Sequence, residues 1–232
     1  MTPSLRILRG ATLAAGTFAA AFFLPAQLSD GPVPEKTTGP VADPPAQPVH
    51  RPSEREAWYR RVEGHLEARA AHFSQGERKR LAAAIVEEAL VANLDPALVL
   101  AIIEIESDYD PHSKGSAGAS GLMQVIPETL SETLQGEGEL SEGVRADQVM
   151  NVQAGVRYYR RLLSMFKSPE LALMAYNAGP QRISGYLKTG RFPPRFRGYP
   201  RRVLAETARL HRVFAIVPAP MVAERSSPGA AH

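Results

Sequence analysis

The sequence predicts a mainly α protein with one folded domain, and three observations lead there. From Glu54 onward apolar residues recur at helical spacing. No run shows convincing period-two alternation. Capping and breaking residues such as Asn93, Gly115, Gly118, Gly121, Gly179 and Gly190 divide the chain into short segments. The 232 residues are 44% apolar, enough for one sizeable core.

The elements follow in order. "EREAWYRRVEGHLEARAAHF" sets Trp58, Val62, Leu66 and Ala70 four residues apart, an apolar stripe between charged flanks. "SQGERKRLAAAIVEEALVANL" opens on Ser74 as a cap. "DPALVLAIIEIES" opens on Asp95 as a cap, with Pro96 at the first helical position. Further helices are expected over 127–134, 151–166, 169–177, 180–188 and 200–215, which makes about eight. No internal repeat is visible.

The N-terminus reads differently. Arg6 and Arg9 precede "ATLAAGTFAAAFFLPA", and small residues stand near Ala26, the layout of a secretory signal. The uncharged stretch from Gly10 to Ser29 is 20 residues, also just enough to span a bilayer. Residues 1–28 are therefore expected to be a signal peptide or a membrane anchor. Residues 29–53 are Pro-rich and suit an extended linker. The folded domain is expected over 54–216, and 217–232 as a disordered tail.

Some chemistry is excluded at once. No cysteine means no disulfide, no thiolate metal site and no cysteine nucleophile. The six histidines show no paired metal spacing, and no phosphate loop appears, so no cofactor is expected. A net charge of +3 does not indicate nucleic acid.

The most informative residue is Glu106. Ala97 to Ile105 is apolar on every side apart from Glu104, and such a helix belongs in the middle of a domain. A carboxylate at its C-terminal end meets low dielectric and the negative end of the helix dipole. Both favour the protonated form, which makes a glutamate a usable general acid near neutral pH, with a solvated glutamate at a helix terminus as the plainer reading. Glu104, two residues away, faces elsewhere on the helix. Asp108 and Asp110 read as turn residues, since Pro111 keeps the helix from reaching Asp110.

The segments "ES", "GASGLMQ", "NVQAG" and "AYNAGP", in this order and after "LDPALVLAIIEIES", resemble the soluble lytic murein transglycosylases over roughly residues 78–210. The resemblance implies a lysozyme-like helical domain with a glycan-binding cleft. It implies cleavage of the β-1,4 bond between N-acetylmuramic acid and N-acetylglucosamine, leaving 1,6-anhydromuramic acid ends. Glu106 matches the family's single catalytic glutamate, which acts first as acid and then as base.

Other positions carry over from the same resemblance. Ser107 would line the cleft, with helix capping as the plainer reading. Met123 would floor the cleft, unless it simply packs the core. Gln124 would contact an N-acetyl group or hydroxyl, with a buried structural hydrogen bond as the plainer reading, and Gly121 to Gln124 would start a helix. Tyr176 would orient the acid or bind sugar. Asn177 would bind substrate or stabilise the helix end. Tyr199 would be a further cleft tyrosine by a looser match. Asp147 and Asn151 match the family's helix start, and Asn151 would be its N-cap. Gly115 stands where the family usually has serine, which would loosen the turn.

Residues 180–212 hold nine Lys or Arg against one acid, Glu206, a basic surface able to steer toward the carboxylates of stem peptides. The expected partner is peptidoglycan, with secretion or cell-wall machinery as a further partner, and the expected place is the periplasm. A goose-lysozyme-like hydrolase and a non-catalytic glycan-binding scaffold are the competing readings.

Overall fold

A computed structural model describes residues 52–134, 147–190 and 192–216. The expectations for the leader, most of the linker and the tail lie outside them. Eight α-helices stand among the described residues, and two isolated bridges around Ser120 are the only extended pairing there. None of the described helices is long and apolar enough to cross a membrane.

Helix α1 runs Pro52–Arg69, two residues into the segment read as linker. Its stripe behaves as expected: Val62, Leu66 and, just past the helix, Ala70 are buried, and Trp58 is partly so. Helix α2, Gln75–Val91, opens on a capping box in which Ser74 and Glu77 satisfy one another's backbone amides. Asn93, at φ 53°, ends that segment in the left-handed region.

Helix α3, Pro96–Ser107, opens on Asp95, whose carboxylate accepts from the Ala97 amide at 2.9 Å. Leu100, Ala101, Ile102 and Ile103 are all at or below 1% exposure, so α3 is buried on almost every side. It ends at Asp108 in the left-handed conformation, and the Asp110 carboxylate accepts from the His112 amide, both turn roles as expected.

Helix α4 spans Pro127–Thr133, α5 Gln148–Phe166, α6 Pro169–Ala178, α7 Pro180–Thr189 and α8 Gly198–Ile216. Helix α3 packs between α2 and α8 and touches α1, while α5 packs on α2, α4 and α6, and α6 also meets α8. The core is one continuous cluster through these helices. Tyr159 is interior and Tyr158 partly buried.

Two local expectations fail. Gly121 to Gln124 form a turn, not a helix start, because Gly121 (φ 76°) and Gln124 (φ 49°) both lie in the left-handed region, which cannot continue a right-handed helix. Asn151 is not the N-cap of α5. Asp147 caps it, accepting from the Val149 and Met150 amides, and Asn151 sits in the first turn at 2% exposure.

Candidate active site

Glu106 lies in the last turn of α3, and its side chain is largely covered. Tyr199, at the start of α8 and 4% exposed, donates its hydroxyl to Glu106 Oε1 at 2.5 Å. Burial pushes the Glu106 carboxyl up to about 7, while the Tyr199 hydrogen bond and the Arg202 charge pull against that rise. The sequence reading offered low dielectric and the helix dipole together; burial is the leading cause here. Burial and then the Glu106 charge hold the Tyr199 and Tyr176 hydroxyls well above the ordinary tyrosine value, so both remain neutral donors.

Glu104 is not a second acid of this site. It pairs with Arg69 of α1, which also reaches Asp108 at 2.7 Å. Arg69 thereby ties α1 to the C-terminal end of α3, on which Glu106 sits.

The turn 121–124 is pinned at successive backbone groups by side chains. Gln148 Oε1 accepts from the Leu122 amide at 3.1 Å, and Asn151 Oδ1 from the Met123 amide at 2.8 Å. Three carbonyls are also held: Gly121 by Gln124 Nε2 (3.0 Å), Leu122 by Ser107 Oγ (2.9 Å) and Met123 by the Tyr176 hydroxyl (2.8 Å). Asn151 Nδ2 donates to the Ser120 carbonyl at 2.9 Å. A buried turn needs such partners because unpaired backbone groups are costly. Gly121 is required twice over, for its φ and because a Cβ would meet Asn151 Nδ2 at 2.6 Å.

This revises several sequence expectations. Ser107 is buried, and its hydroxyl is spent on the Ile103 and Leu122 carbonyls, so it braces the turn rather than lining a cleft. Met123 has no exposed surface and packs on Gly155, where a Cβ would meet its sulfur at 2.6 Å; core packing is its role in this structure. The Gln124 amide is committed to the Ser113 and Gly121 carbonyls. Its Oε1 lies 2.5 Å from where a Gly115 Cβ would stand, so Gly115 makes room for Gln124. Gly115 is not loose, since its amide donates to the Ala119 carbonyl at 2.8 Å. Tyr176 neighbours Glu106 electrostatically but bonds the Met123 carbonyl; the tyrosine on the acid is Tyr199.

The residues missed as a group were Gln148, Asn151 and Gly155. Their signal was a polar pair three apart and a glycine four further on, all on one face of an amphipathic helix.

Two concavities flank these elements. One, of about 1170 Å³, is lined by residues including Arg69, His72, Asp110, Lys114 and Gln148, and it reaches neither Glu106 nor the two tyrosines. The other, of about 910 Å³, is lined by Asn177, Arg195, Tyr199, Arg201, Arg202 and their neighbours. The second reaches Tyr199, whose hydroxyl bonds Glu106, while Glu106 itself is not among its lining residues. The exposed Asn177 of α6 and Tyr199 of α8 therefore share one cleft wall.

Residues 83–194, just under half of the chain, match the Transglycosylase SLT domain. The segment includes Glu106, Gln124 and Tyr176 but stops short of Tyr199. A transglycosylase of Enterobacteria phage PRD1 is 31% identical over 101 residues, covering 44% of this chain and 36% of the relative. The soluble lytic murein transglycosylase of Escherichia coli K12 is 35% identical over 92 residues, covering 38% of this chain and 14% of the relative. Membrane-bound lytic murein transglycosylase C of Haemophilus influenzae is 31% identical over 130 residues, 51% of this chain and 34% of the relative. The aligned part of the chain thus spans about a third or less of these relatives.

Among solved structures, an inactive Glu-to-Gln mutant of lytic transglycosylase Slt from Pseudomonas aeruginosa superposes with a TM-score of 0.52. It is 24% identical, over 70% of this chain and 29% of that one. A complex of the 70-kDa soluble lytic transglycosylase with bulgecin A gives a TM-score of 0.52 at 24% identity, over 72% and 31%. These likenesses establish the fold: a helical domain of the lytic transglycosylase type.

Proposed function

We propose that this protein is a peptidoglycan lytic transglycosylase whose acid and base are both Glu106. The observation that carries the reading is a single desolvated carboxyl, set near 7 and oriented by Tyr199, beside an open cleft. Protonated Glu106 gives its proton to the oxygen of the β-1,4 bond between N-acetylmuramic acid and N-acetylglucosamine. The C1–O bond breaks, and the 6-hydroxyl of the same muramic acid attacks C1. Glu106 takes the hydroxyl proton back. The products are a 1,6-anhydromuramic acid end and a free 4-hydroxyl, and no water is consumed.

A glycosidase that activates water uses a second carboxylate about 5–9.5 Å from the first. Here Glu104 is paired to Arg69, and no second carboxylate stands among the described residues that line the cleft beside Tyr199. An intramolecular hydroxyl removes the need for that group and adds high effective molarity. The relatives' names and the inactive Glu-to-Gln mutant of Slt point the same way.

Within this reading Tyr199 and Asn177 face the sugar. Ser107, Met123, Gln124 and Tyr176 fix the turn under it. Export follows from residues 1–28 as signal or anchor, with 54–216 working on the periplasmic side.

The test is digestion of purified sacculi with the full chain and mass spectrometry of the products. Anhydro ends are expected, and Glu106→Gln abolishes their release while keeping the helical circular-dichroism spectrum. Reducing ends in their place would assign a hydrolase, and no release by the unaltered chain would assign a binding scaffold.

A further inference from the structure

The cleft beside Tyr199 has an unusual wall. Arg195, Arg201 and Arg202 all line it, and no carboxylate stands among its described lining residues. Each of the three is exposed. Arg201 and Arg202 make no ion pair or hydrogen bond with another described residue, whereas other arginines of the fold do: Arg69 with Glu104, Arg55 with Glu87, Arg161 with Glu132 and Arg209 with Glu206. The Arg195 guanidinium lies 5.0 Å over the Phe196 ring, which holds it in place without neutralising it. Leu204, 42% exposed, and Ala205 stand among the arginines and give the wall an apolar strip.

Guanidinium groups without an ion-pair partner among the described residues, set around an apolar strip, fit an acidic peptide better than a neutral sugar or a small inorganic anion. Guanidinium forks match carboxylates in a bidentate fashion. The apolar strip adds contact area only for a ligand with aliphatic parts.

We propose that Arg195, Arg201 and Arg202 form a carboxylate-recognition wall that selects glycan strands by the acidic peptide carried next to the bond to be cut. The proposal rests on the transglycosylase reading for where that bond lies, and the wall itself can be tested without turnover.

The experiment uses the full-length Glu106→Gln chain, which binds without cleaving, and three forms of soluble glycan strand. One carries stem peptides with free carboxylates, one the same peptides amidated, and one no peptides. Calorimetry at low salt is expected to show binding to the first about tenfold tighter than to the other two, the scale of one or two partly exposed charged hydrogen bonds. Adding Arg195→Gln and Arg201→Gln removes that preference and leaves binding of the stripped strand unchanged. Both side chains are exposed, so the fold is retained, checked by circular dichroism. Equal affinity for all three strands, or an equal loss on all three in the arginine variant, overturns the wall. The reading of the activity stands or falls separately, on whether the unaltered chain releases anhydro products.

Discussion

Replacing Glu106 by glutamine is predicted to stabilise the fold above neutral pH while removing activity. The carboxyl is raised from the ordinary glutamate value of 4.5 to about 7 because the folded chain desolvates it. At about 1.4 kcal/mol per unit, that rise amounts to about 3 kcal/mol. The sign follows from linkage. Below about pH 4.5 the group is protonated whether folded or unfolded, and its burial carries no ionic penalty. Between 4.5 and 7 the unfolded chain ionises while the folded one resists, so stability falls as pH rises, and above about 7 the full penalty stands. Glutamine has no charge to desolvate and keeps an oxygen for the Tyr199 hydroxyl.

The two proteins should therefore be nearly equal in stability near pH 4. The variant should be ahead by about 3 kcal/mol near pH 8, worth about 6–12 °C in Tm for a domain of this size. Urea or thermal unfolding of both proteins across that range measures the difference, and every other titrating group cancels in it. A gap that stays constant with pH, or that favours the native chain at pH 8, refutes the desolvated placement of Glu106.

Tyr199→Phe removes the donor that stabilises the Glu106 carboxylate. The alkaline limb of the pH–rate profile should move up by about one unit, with a lower kcat, because a hydrogen bond to a charged group is worth roughly one to two pKa units before solvent discounting. An unmoved limb would detach Tyr199 from the acid. Asn151→Ala strands the Met123 amide and the Ser120 carbonyl together, so unfolding in urea should show a loss of about 2–4 kcal/mol. A loss near zero would mean that the 121–124 turn is held without it.

Among the residues of the site, those whose environment is local were legible in advance. Ser74 and Asp95 cap their helices because a cap is completed within three residues of chain. The burial of α3, and with it the raised carboxyl of Glu106, follows from a helix with no polar face to offer water. The resemblance added the identity of the acid. The parts that went wrong are those set by partners far along the chain.

Nothing near Tyr199 in sequence says that its hydroxyl meets a carboxylate 93 residues earlier, and that pairing gave it the role expected of Tyr176. Ser107, Gln124 and Tyr176 carry groups that suit a sugar equally well. Only the folded turn, with its backbone amides and carbonyls needing partners away from water, claims them first. Asn151 looked like a cap because it sits near a helix start; burial against Gly121 made it a brace instead. The amino-acid order by itself determined the helices, their caps and the acid at the end of the most apolar one, since these depend on neighbours within a turn or two. The tertiary structure decided which hydroxyl holds the proton donor, which polar side chains are spent on the backbone and which arginines are left facing the cleft, because each depends on distant segments competing for the same few hydrogen bonds.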